Sequence, residues 1–148
     1  MNLNHVVSRP FASVEQRWDA RDSALYALSL GMGSNPVDPL ELPYVYEGRS
    51  GHDLRAVPTL AMTLAWLPFW QDDPATGIDW VRIVHGEQHV HWHRAVPTAG
   101  HVIGRHRLRA VEDKGPGRGA VLHFDTLLSD AATGAPLADI RQVQFLRG

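Results

Sequence analysis

The chain is 148 residues long, 44% hydrophobic and 20% charged, with a formal net charge of −2. So many apolar residues and so little net charge exclude a disordered chain, and the missing basic excess excludes a dedicated nucleic-acid binder. One globular domain spanning 1–148 is the expectation. There is no cysteine, which excludes disulfides, thiolate catalysis and zinc fingers and fits a reducing cytoplasm.

The opening Met1-Asn2-Leu3-Asn4-His5 lacks the charged and apolar regions of a signal peptide. The first clear element follows Trp18. Asp19 is an N-cap with Asp22 three residues on, in the manner of a capping box, and Ala24, Leu25, Ala27 and Leu28 form an apolar stripe at helical spacing. Gly31 and Gly33 end it, so a helix is predicted over 20–30. Three prolines make 34–43 a loop, and Pro43-Tyr44-Val45-Tyr46-Glu47 reads as a short strand closed by a Gly48-Arg49-Ser50-Gly51 turn.

The stretch 58–66 is apolar nearly all round: Leu60, Ala61, Met62, Leu64, Ala65 and Trp66. That is the pattern of a helix buried on every side, started by Pro58-Thr59 and stopped by Pro68. It is far shorter than the ~20 residues of a membrane span, so no membrane partner is expected. The segment 70–79 is an exposed loop. Beyond residue 80, period-two alternation marks strands at 87–94, 101–113, 119–130 and 136–147, joined by Gly- and Pro-containing turns. The whole is an α+β plan, a curved antiparallel sheet wrapped round one central helix. Arginine outnumbers lysine 13 to 1, the codon bias of a GC-rich bacterial genome and no guide to function.

Several motifs then fall in a familiar order: Arg21-Asp22, Leu25-Tyr26-Ala27-Leu28, Gly31, Tyr44-Val45-Tyr46-Glu47, Val57-Pro58-Thr59, Val84-His85-Gly86-Glu87-Gln88 and Pro97. From about Trp18 to Leu146 the chain resembles the N-terminal hot-dog half of the MaoC-like, (R)-specific 2-enoyl-CoA hydratases. These include the hydratase unit of the peroxisomal multifunctional enzyme type 2. The resemblance implies a single hot-dog domain and a coenzyme A thioester as substrate, with no cofactor. It also implies a homodimer, or a heterodimer with a second MaoC-like hot-dog chain.

In that family the catalytic aspartate and histidine lie in the second half, in an Asp-x-Asn-Pro-hydrophobic-His motif. The only Asn-Pro here is Asn35-Pro36, with Gly33 where the aspartate would stand and Asp38 where the histidine would. It reads as a turn, so no catalytic residue is assigned. The chain stops where the first half would pass into the linker. The expected function is therefore the non-catalytic, substrate-binding half or subunit of an enoyl-CoA hydratase, weak or inactive in isolation. A stand-alone homodimeric thioesterase, or an acyl-CoA-binding module that has lost the chemistry, is the alternative.

Leu60, Met62, Trp66 and Phe69 are the candidates to line the acyl chain, although each taken singly reads better as core. His85 and Gln88 either reach the substrate or partner half, or belong to a strand that Gly86 allows to bulge. Glu87, His89, His91 and His93 share one strand face, which reads as a solvated face rather than a metal site. Arg105, Arg107 and Arg109 also share a face. They are the candidates for the phosphates of coenzyme A, against a plain solvent-facing reading.

Overall fold

The computed structural model describes residues 1–48 and 53–147. A short helix α1 (Leu3–Ser8) and an edge strand β1 (Val14–Trp18) precede the first predicted element. Neither is legible in the sequence. Five residues of alternation in β1 are too few to stand out, yet Val14, Gln16 and Trp18 do alternate with Glu15 and Arg17.

The predicted helix is α2 (Ala20–Ser29), and its ends form as their residue types require. The Asp19 side chain accepts from Asp22 N while the Asp22 side chain accepts from Asp19 N, at 3.1 and 3.0 Å. At the other end Gly31 adopts φ 89°, and the N–H groups of Gly31 and Met32 turn back onto the Leu28 and Ala27 carbonyls. This is a Schellman ending, which needs the left-handed residue that glycine supplies. The apolar stripe splits: Ala27 is fully buried, while Leu25 and Leu28 are half exposed.

Three predicted elements are corrected, the first being the exposed loop at 70–79, where Trp70, Gln71 and Thr76 are buried and Pro74–Thr76 forms a 3-10 turn. The short strand at 43–47 is instead a one-turn helix α3 (Leu42–Val45), with Tyr44 N bonded to the Glu41 carbonyl and Tyr46 N to that of Leu42. Pro43 sits in its first turn, where a missing N–H costs nothing. Of the turn expected after it, Arg49, Ser50 and Gly51 lie outside the described residues. The expected central helix at 58–66 is a 3-10 turn, Pro58–Thr63, followed by extended Leu64 and left-handed Ala65 at φ 50°. An α-helix cannot run on toward Pro68, because the residue before a proline is pushed out of the helical region. Ala65 N also bonds elsewhere, to the Gln16 side chain at 2.6 Å. Apolarity all round here reflects a segment with two functions: Leu60, Ala61, Leu64 and Ala65 are buried, while Trp66 is 61% exposed.

Four long strands close to the predicted ranges complete the fold: β2 (Ile83–Trp92), β3 (Gly100–Asp113), β4 (Ala120–Asp130) and β5 (Pro136–Leu146). They form one antiparallel sheet in the order β1-β3-β4-β5-β2. Opposed pairs such as His106↔Thr126, Thr126↔Ile140 and Gln88↔Gln142 fix which residues share a face. The segment 58–71 lies on the inner face. Around it Trp18, Leu60, Leu64, Val102, Leu128, Leu137 and Ile140 make one buried cluster, and Val6, Trp70, Leu122 and Leu146 make another. Gly104 permits the closest approach: a Cβ there would lie 2.9 Å from Ala65 Cβ and 3.0 Å from its carbonyl oxygen. No described helix is long and apolar enough to cross a membrane.

Candidate functional site

The same segment 62–71 roofs a cleft against the inner face of the sheet. Two glutamines tie the roof down. Gln16 accepts from Ala65 N at one end, and at the other Gln71 Nε2 donates to Gln144 Oε1 at 2.8 Å. Between these ties the chain bows outward, so Trp66 and Phe69 are largely exposed at the mouth. Phe69 packs edge-on against Trp80 at 5.9 Å. Trp70 turns inward and meets Phe124 and Phe11. The enclosed volume is about 60 Å³.

The floor is polar where a sheet interior is usually apolar. Gln88, His106, Thr126, Gln142 and Gln144 occupy inward positions, flanked along their strands by Val90, Leu108, Phe124, Leu128, Ile140 and Leu146. His106 Nδ1 and Thr126 Oγ1 are hydrogen-bonded at 3.0 Å, and the imidazole stacks on Phe124 at 6.2 Å. Its Nε2 is buried beside the Ala65 carbonyl with no well-formed hydrogen bond. Burial pulls the His106 pKa below the usual histidine value, and the nearby carbonyl only partly offsets this. His106 is therefore a neutral imidazole at pH 7. Among the described residues lining the cleft there is no aspartate or glutamate.

Of the residues singled out in the sequence, the structure brings Met62, Trp66, Phe69 and Gln88 together round this cleft. Leu60 is not among them; at 4% exposure it belongs to the adjacent core. His85 stands just outside, its Nδ1 accepting from Gln142 Nε2 at 2.9 Å, and a β-bulge follows it at Gly86. The arginines lie on the opposite face of the sheet. Arg105 donates to Ser129 Oγ and Arg107 to Asp125. Arg109 falls in a second bulge, between Leu108 and Ala110, which takes it out of the row. The structure does not bring the arginine row and the acyl candidates into one site.

On that outer face the histidine tract is exposed. His89 contacts Glu87 at 2.9 Å and His93 contacts Asp139 at 3.2 Å. Among the described residues no group of three or more His, Asp or Glu gathers to hold a metal. Asn35-Pro36 is indeed a turn: the side chains of Asn35 and Asp38 accept from the N–H groups of Val37 and Leu40. Sequence reasoning missed His106, Thr126, Gln142 and Gln144. The available signal was a polar residue at an inward position of an otherwise apolar alternation.

Comparison with known proteins places this geometry. A family model described as "MFE-2 hydratase 2 N-terminal domain" matches residues 17–148. The peroxisomal enoyl-CoA hydratase 2 of Arabidopsis thaliana is 32% identical over 151 residues, covering 99% of this chain and 48% of that protein. The chain thus spans about half the length of the curated relatives it matches. Among solved structures, a MaoC-like dehydratase from Phytophthora capsici superposes with a TM-score of 0.72 at 24% identity, over 100% of this chain and 50% of that one. The ChsH1–ChsH2 complex from Mycobacterium tuberculosis gives 0.58 at 15% identity, over 95% and 83% of the two chains. The hot-dog expectation holds, and the chain belongs to the hydratase 2 N-terminal domain family of MaoC-like hot-dog proteins.

Proposed function

We propose that the chain is the acyl-binding hot-dog half of a 2-enoyl-CoA hydratase, working in the dehydratase direction as well, with a second hot-dog supplying the catalytic carboxylate and imidazole. The cleft is the observation that supports this most. It is walled by Met62, Leu64, Trp66 and Phe69 and lined by no carboxylate among the described residues.

Hydration of an enoyl thioester needs a base to activate water for attack at C3, an acid to protonate C2, and stabilisation of the enolate oxygen. In this proposal the present chain takes none of the proton transfers. Its residues hold the acyl chain and keep bulk water off it. Pairing with a second hot-dog is supported by the exposed leucines of α2, Leu25 and Leu28, continued by Leu30, which soluble proteins tend to cover. It is also supported by the chain's half-length match to its relatives, and the ChsH1–ChsH2 neighbour is itself a complex.

The enclosed volume is below the ~300–1,000 Å³ of ligand pockets, so acyl entry lifts the roof between its two glutamine ties. Calorimetry with butanoyl-CoA and octanoyl-CoA tests the reading. Each methylene buried contributes about 0.8 kcal/mol, so octanoyl-CoA is expected to bind at least tenfold tighter. Equal affinities would show that the cleft does not take the acyl chain.

A further inference from the structure

The polar floor of the cleft is not required by the fold. The inward positions around it carry valine, leucine, isoleucine and phenylalanine, and an alkyl chain would pack on more of the same. Instead Thr126 stands opposite His106, Gln142 and Gln88 follow in the next inward row with Leu108 and Phe124, and Gln144 lies one row beyond, all lining the one cleft. Their mutual bonds use only part of their capacity. Gln144 Oε1 accepts from Gln71, and Gln142 Nε2 donates to His85. Among the described residues, the Gln142 carbonyl oxygen, the Gln144 amide nitrogen and the Gln88 amide are left open at the cleft, whereas His106 Nε2 is buried beside the Ala65 carbonyl.

We propose that this floor recognises a second hydroxyl group, carried on the acyl chain beyond the reacting C2–C3 unit, so that the substrate has a distal hydroxyl rather than a plain alkyl tail. The inference rests on the acyl-cleft reading above and names its substrate class. A hydroxyl both donates and accepts, and the floor leaves both kinds of group open, whereas a ketone only accepts. A carboxylate is disfavoured, because no lysine or arginine among the described residues lines the cleft. The burial that keeps His106 uncharged points the same way. A plain alkyl chain entering here would displace water from these groups and leave them unpaired, a penalty by which polar sites reject apolar analogues.

The test is calorimetric binding of hexanoyl-, octanoyl- and decanoyl-CoA to the full chain, each paired with its ω-hydroxy counterpart. At one chain length or more, the hydroxylated thioester is expected to bind at least tenfold tighter than its plain partner. Gln88→Leu and Gln142→Leu, each close in volume, are expected to reduce that preference below threefold, because the amide that would pair with the hydroxyl is gone and a plain chain no longer leaves it unpaired. Plain thioesters binding as tightly as hydroxylated ones at all three lengths would overturn the hydroxyl assignment and leave the acyl cleft standing. Failure of all six to bind would overturn both. The six wild-type affinities decide the assignment by themselves, so it stays falsifiable even where a variant does not fold.

Discussion

Arg107 donates two hydrogen bonds to Oδ2 of Asp125, at 3.0 and 2.8 Å, across a directly opposed pair of β3 and β4. The Asp125 side chain is only 8% exposed, and Arg141 adds a longer bond to its other oxygen at 3.4 Å. This trio faces away from the cleft. The arginine that looked like a phosphate ligand is thus already engaged with a buried carboxylate.

Arg107→Ala is therefore expected to act on stability. Breaking a charged hydrogen bond to a buried group costs about 1–2 kcal/mol, at the low end because the arginine side chain is 66% exposed and water replaces part of the pairing. Denaturant midpoints measure this. Acyl-CoA affinity is expected to stay within twofold, and a tenfold loss at low salt would place the arginine row against the phosphates instead.

Leu60 and Trp66 are indistinguishable in the sequence, and the structure separates them. Leu60→Ala removes a buried core side chain and is expected to destabilise by about 2–5 kcal/mol. Trp66→Ala removes an exposed ring and is expected to change stability by no more than about 0.5 kcal/mol. Only the second should weaken octanoyl-CoA binding directly, by about tenfold. Unfolding curves and calorimetry on the two variants check both halves of the contrast.

The reason such differences are hidden in the sequence is physical. The capping box at Asp19 and Asp22, the Gly31 ending and the period-two strands are local patterns, so α2 and β2 to β5 can be read directly. The 58–71 segment has no period of its own. Its shape is set by Pro68, by the Gln16 and Gln71 ties and by the space above Gly104, all but the first of which are tertiary. The cleft floor is half legible: alternation puts His106 on the inward face with Val102 and Leu108, but only strand pairing places Thr126 beside it and sets Gln142 and Gln88 in the neighbouring row with Leu108 and Phe124.

His106 gives stability a pH dependence of known sign. Its pKa is lowered in the folded state by burial, so the unfolded chain binds the proton more readily, and stability rises with pH across that window. Stability is therefore expected to be full above about pH 6.5, the ordinary histidine value, and to fall as pH drops below it toward the folded pKa. Asp73, Glu112 and Asp130 are lowered by hydrogen bonds, from Arg9, Lys114 and the Thr133 backbone N–H first respectively. Their contributions are lost only below the ordinary carboxylate range. Denaturation of wild type and His106→Phe between neutral pH and about pH 5 separates the windows. A slope unchanged in the variant would show that His106 does not set it.

The exposed leucines of α2 carry the pairing proposal. Leu28 is 51% exposed, so Leu28→Glu should be tolerated by the fold while placing a charge on the apolar face. Sedimentation at micromolar concentration is expected to show association of the wild type, with itself or with a second hot-dog chain, and loss of association in the variant. A wild type that stays monomeric in both settings would count against a covered α2 face.

The most direct measurement is crotonyl-CoA hydration by the purified chain, alone and mixed with a hot-dog chain bearing an Asp-x-Asn-Pro-hydrophobic-His motif. Little or no turnover is expected from the chain alone. The mixture is expected to turn over, and to lose that activity when the partner's aspartate is replaced by asparagine. Robust turnover by the chain alone would contradict a non-catalytic half, and would direct attention to His106, the one imidazole among the described residues lining the cleft.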